Sequence, residues 1–117
     1  MFKYTVCGCE FEQMEKEDNL NYELIDGMVM MSSRPTLEHQ SISGNIYFEL
    51  RNVLKGMPCK PIQEIELALE ENTLIPDLAV ICNDDLKGNR YEKAPLIVIE
   101  IVSPSSVSKM DLTAVFA

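Results

Sequence analysis

A chain of 117 residues with 46% hydrophobic and 25% charged side chains has the apolar content for one core, burying roughly two thirds of its unfolded surface. Its apolar residues come in short runs, far below the roughly twenty consecutive positions of a membrane-spanning helix, and its start is polar and acid-rich, with no signal-peptide core. A formal net charge of −9 argues against nucleic-acid binding through a general basic surface, because Lys and Arg on phosphates dominate such binding.

These bounds predict one soluble, cytoplasmic domain. The four cysteines read as reduced thiols: only Gly8 separates Cys7 from Cys9, and Cys59 and Cys82 sit near strand-like runs. A zinc site is disfavoured, because the lone His39 is distant and structural zinc draws four closely paired ligands.

After a charged lead-in from Glu10 to Asn21, the segment Tyr22 to Met31 predicts two short strands about an Asp26-Gly27 turn. Gly accepts the positive φ that tight hairpin turns need. Leu37, Ile42, Ile46, Leu50 and Val53 then recur as on one helical face, so a helix is predicted over 36–55. Thr36 is its N-cap, Glu38 lies in the first turn, Lys55 in the last, and Gly56 and Pro58 follow. Ile62 to Leu69 alternates like a half-exposed strand and ends in a turn over Glu70 to Thr73. Leu78 to Cys82 and Leu96 to Val102 are continuous apolar runs, predicting central strands covered on both faces. A polar loop, 83–95, separates them, and Ser105 or Ser106 caps a last short helix.

Two acids stand out by position. Asp77 directly precedes one apolar run, and Glu100 interrupts the other near its end. A buried unpaired carboxylate costs several kcal/mol, so Glu100 must be paired, protonated, metal-bound or turned outward. If the strands are neighbours, the two acids converge on one cation; Mg²⁺ favours such oxygen ligands and suits phosphodiester hydrolysis by metal-activated water. Against this stands the plainer reading in which Glu100 pairs with Lys93 or Arg90. By alternation Glu23 reads as a solvent-facing residue, and His39, on the helix's apolar side, as a core or rim histidine with an active-site role left open. The seven methionines read as core filler.

Tyr22 to Gly27, His39 leading a helix, Pro76-Asp77-Leu78-Ala79-Val80, and Pro95 through Glu100 to Ser106 together resemble the Uma-type restriction endonuclease family of the PD-(D/E)XK nuclease superfamily, over about 22–111. The resemblance implies an α/β (α+β) fold with a mixed sheet flanked by helices, a restriction-endonuclease-like core. It implies Asp77 and Glu100 as catalytic, metal-ligating carboxylates, the Ile101 backbone carbonyl as a further ligand, Glu23 as an accessory acid, Mg²⁺ or Mn²⁺ as cofactor, and DNA as substrate.

The chain also departs from that pattern. Where the superfamily has a lysine two residues after the second acid, this sequence has Val102; the family's replacement lysine, after Asp111, falls near Val115, which leaves Lys109 as substitute. Residues 1–117 are therefore expected to be a single domain incomplete at its C-terminus, with weak or no nuclease activity. The alternative is an interaction module without chemistry that dimerises through an exposed sheet edge. A third reading is a metal- or small-molecule-binding domain unrelated to nucleases.

Overall fold

The computed structural model describes residues 6–32 and 35–102. Ahead of the hairpin lies a helix that the charged lead-in does not announce, α1 (Gly8–Gln13), whose Phe11 packs with Tyr22 and Leu24. The hairpin forms as expected, β1 (Asn21–Ile25) against β2 (Met28–Ser32), with Asp26 and Gly27 both at positive φ, 50° and 77°. That pair of values closes a two-residue turn whose twist matches its strands.

The next helix, α2 (Leu37–Val53), also matches: the Thr36 side chain caps it by accepting from the His39 backbone N–H at 3.1 Å. Its buried face differs from the predicted one. Leu37, Ile42 and Val53 are exposed, and the side turned inward carries Ser43, His39 and half-buried Ile46 and Leu50.

The single alternating strand predicted over 62–69 is two strands, β3 (Cys59–Gln63) and β4 (Leu67–Leu69). Glu64, at φ 50°, turns the chain between them, a left-handed conformation that no continuous strand adopts. Beyond a two-residue turn, β5 (Asn72–Leu74) pairs back on β4, where only a turn was predicted. The strands β6 (Leu78–Cys82) and β7 (Ile97–Ile99) then follow.

All of these strands pair antiparallel in two sheets, ordered β2-β1-β5-β4 and β3-β6-β7. A parallel bridge between Leu67 and Tyr91 fastens the 83–95 loop to the first sheet. Within that loop Asp84 accepts from the Tyr91 hydroxyl at 2.8 Å and from Lys93 Nζ at 3.1 Å. These contacts hold its carboxyl below the usual range and raise the Tyr91 and Lys93 values.

Of the two apolar runs predicted as central, only one is. From Leu78 to Ile81 no residue of β6 exceeds 3% exposure. By contrast Leu96, Ile97 and Val98 are 68%, 44% and 37% exposed, because β7 pairs on one side only among the described residues.

The cysteines differ too: Cys7 pairs with Cys9, and Cys59 with Cys82, as disulfides. Sequence spacing hid the second pair, which register creates by setting Cys59 directly opposite Cys82. Asn83 N–H donates to the Pro58 carbonyl at 2.8 Å, so the next pair inward lies between hydrogen-bonded positions, where facing side chains come closest. Under non-reducing conditions Cys59→Ser is expected to lower the unfolding free energy by about 3 kcal/mol, the order for closing a loop of this size. In excess dithiothreitol wild type and variant should unfold alike; equal urea midpoints without reductant would show that the pair contributes nothing.

Candidate functional site

Asp77 is the residue from which the site is built. It enters β6 directly after Pro76, and its own carbonyl accepts from Glu64 N–H at 3.1 Å, fixing the head of β6 against the turn that ends β3. The carboxylate is contacted from two sides. Oδ2 accepts from the Ile101 backbone N–H at 2.7 Å, and Oδ1 lies 3.1 Å from His39 Nε2. Three separate parts of the chain therefore meet on one residue: the first turn of α2 and the segment leaving β7 on its side chain, and the β3 end on its backbone carbonyl.

Register explains why Ile101 is there. In the β6–β7 pairing Leu78 faces Ile99, so one step further outward sets Glu100 opposite Asp77. Directly opposed residues of an antiparallel pair share a face. Glu100 is half-buried, with Oε1 inside the protein. The partners first considered for it are engaged with other acids: Lys93 with Asp84, and Arg90 with Glu12 and Glu66 at 2.7 and 2.9 Å.

Glu23, which alternation assigns to solvent, is buried at 3% exposure. Its strand β1 lies between β2 and β5 and is buried throughout from Tyr22 to Ile25. Glu23 Oε2 accepts from the Ile75 N–H at 2.7 Å, two residues ahead of Asp77. The same rule applied to Glu100 finds it in the sequence: an acid inside an otherwise apolar run needs a partner. For His39, whose active-site role the sequence leaves open, the signal is the polar pair His39 and Ser43, one turn apart, which marks an inward face that is not purely apolar. Lys109 and Asp111 lie outside the described residues.

A cavity of about 180 Å³ opens beside Asp77, lined by Pro35, His39, Gln40, Ser43, Gln63 and Glu64. Its wall is polar, with Gln63 Nε2 donating to Ser43 Oγ at 3.4 Å. No group of three or more His, Cys, Asp or Glu side chains among the described residues is arranged to hold a metal ion. A smaller oxygen set still fits a hard cation. Each Asp77 oxygen is contacted once and keeps a further lone pair, Glu100 lies across the strand pair, and Mg²⁺ commonly uses only one or two carboxylates and keeps several waters.

The Uma2 family profile, described as putative restriction endonuclease, matches residues 9–113. The chain belongs to the Uma2 family. A solved structure, of a putative nuclease belonging to DUF820 from Anabaena variabilis ATCC 29413, superposes with a TM-score of 0.80 at 20% identity. The superposition covers 95% of this chain and 66% of that one, so this chain spans a little under two thirds of its neighbour. At that identity the likeness establishes the fold: the expected α/β class, shared with a putative nuclease, is the one found, but with two antiparallel sheets in place of one mixed sheet. No curated protein matches the chain.

Glu23→Ala is expected to destabilise this Uma2 protein by about 2 kcal/mol, since it removes a buried charged acceptor from a backbone donor. Urea denaturation checks this, and a change under about half a kcal/mol would return Glu23 to the surface role that alternation assigned to it.

Proposed function

We propose that this Uma2 chain is a nuclease-like protein that uses Mg²⁺ or Mn²⁺ to hydrolyse phosphodiester bonds of DNA, at a low rate. The reading rests on one observation above others: the Asp77 carboxylate is held from two sides at the mouth of a polar cavity, with Glu100 across the strand pair. A divalent ion bound there would supply water activation and charge neutralisation.

The chain's own residues have simpler tasks. Asp77 and Glu100 would hold the ion, with the Ile101 carbonyl as a further oxygen. Glu23, through Ile75, supports the segment that presents Asp77. Gln63 and Ser43 offer hydrogen bonds to a substrate phosphate or sugar in the cavity. The low rate follows from Val102, an exposed apolar side chain where the superfamily pattern has its lysine. Loss of one stabilising charge at a developing oxyanion costs about two to three orders of magnitude in rate, and Lys109 is the proposed substitute. The cytoplasm, where DNA lies, is the proposed setting, and no helix among the described residues is long and apolar enough to cross a membrane. The paired cysteines weigh against that setting, since disulfides persist in oxidising compartments.

A plasmid-nicking assay tests the proposal. Slow cleavage that requires Mg²⁺ or Mn²⁺, and that falls at least about a hundredfold in Asp77→Ala, is the expected result. Cleavage that persists in EDTA, or that Asp77→Ala leaves unchanged, would contradict it.

A second reading is favoured by the outer sheet edge. Strand β7 and the residue before it present Leu96, Ile97 and Val98 with substantial exposure and no charged side chain among them. Such an edge is a template for pairing with another strand. In this reading two copies join β7 to β7 and the chain serves as an assembly module. Light scattering at low micromolar concentration should then give a dimer that Val98→Lys converts to monomer; a monomeric wild type would remove this reading.

A further inference from the structure

We infer that His39 is a positioning residue for Asp77: its Nε2–H and the Ile101 N–H form a two-sided clamp that fixes the carboxylate orientation on which the proposed metal site depends. The inference rests on the proposed function for its purpose and on the geometry for its existence.

Three observations carry it. Oδ1 and Oδ2 of Asp77 have different partners, His39 Nε2 at 3.1 Å and the Ile101 N–H at 2.7 Å, from elements far apart in sequence. A carboxylate touched on one oxygen still turns about its Cβ–Cγ bond; contact on both oxygens selects one orientation. The second observation is what His39 lacks. Its Nδ1 is buried without a hydrogen-bond partner, so Asp77 is the one polar group that orients the ring among the described contacts. Folded proteins rarely leave a buried nitrogen unpartnered, and a histidine kept for packing alone is better replaced by an apolar side chain. Third, the backbone beneath the ring is fixed, because the His39 N–H donates to Thr36 Oγ1 at the start of α2.

The clamp leaves Asp77 free for ligation, since each oxygen has a second lone pair. A neutral His39 with its proton on Nε2 satisfies this geometry, and Nδ1 then carries a lone pair. Outer contacts that orient a metal-binding carboxylate typically change metal affinity by about 10- to 100-fold when removed.

The test separates donor, packing and ligand roles. Gln at this position can place an amide donor near the place of Nε2, whereas Leu keeps the bulk and loses the donor. Mn²⁺ binding is followed by electron paramagnetic resonance, and melting temperature is recorded for the same proteins. The expected result is a dissociation constant raised about tenfold in His39→Ala and His39→Leu, within about threefold of wild type in His39→Gln, and a melting temperature for His39→Leu at or above wild type. Wild-type Mn²⁺ affinity in His39→Leu overturns the inference. So does a loss in His39→Gln as large as in His39→Ala, which would make the ring nitrogen a ligand.

A metal-free measurement keeps the inference distinct from the nuclease reading. Nitrogen-15 NMR of the histidine ring should show the Nε2–H tautomer in wild type and a mixture in Asp77→Ala. If wild type binds no Mn²⁺, the metal reading fails while this measurement still decides the clamp; a tautomer indifferent to Asp77 overturns it.

Discussion

The head of β6 is where the architecture converges, and one aspartate accounts for it. Through its carbonyl Asp77 fixes the β3 end, and through its carboxylate it meets α2 and the segment leaving β7. Few residues join three elements, and the strand behind this one is suited to bear it. β6 is buried from Leu78 to Ile81, each large side chain contributing on the order of 1.5–3 kcal/mol by removal from water. At its far end the Cys59–Cys82 pair and the Asn83 to Pro58 hydrogen bond lock it to β3. A strand held at both ends and buried between them gives a rigid base, and a metal or substrate site needs its ligands fixed to within a few tenths of an ångström.

Charge sets the second constraint. With a net charge of −9 the protein repels a polyanion before any contact is made. The site adds to the repulsion, because Asp77 and Glu64 both line the cavity. Only a bound cation reverses the sign locally. Under the proposed function a divalent ion would have two tasks, admitting the phosphate and neutralising the charge that develops on it, and salt would weaken substrate binding less than it does for a protein with a basic groove.

Much of the local structure was legible in the sequence because it depended on local chemistry. The Asp26-Gly27 turn, the Thr36 cap and the apolar β6 run are each fixed by residues within a few positions of one another. What was not legible depended on tertiary neighbours. The burial of Glu23 follows from β5 joining the open side of β1, a strand that reads as a turn. Likewise the strand predicted over 62–69 breaks because Glu64 must turn to donate to Asp77, a partner thirteen residues away. The exposure of β7 could not be read from Leu96 to Val102, since composition reports what a strand is able to bury and not whether a neighbour covers it.

Ile101 meets Asp77 two residues beyond the end of β7, so the segment that completes the carboxylate clamp leaves the least covered described strand of its sheet. Local opening free energies follow burial, and β7 should therefore open more readily than β6. When it opens, the Ile101 N–H leaves Oδ2 and Glu100 leaves its place across from Asp77, while His39, anchored in α2, stays. Anything that pairs with the outer edge of β7 slows that opening. Pairing at the edge would in this way be coupled to the Asp77 site through β7 and the two residues that follow it.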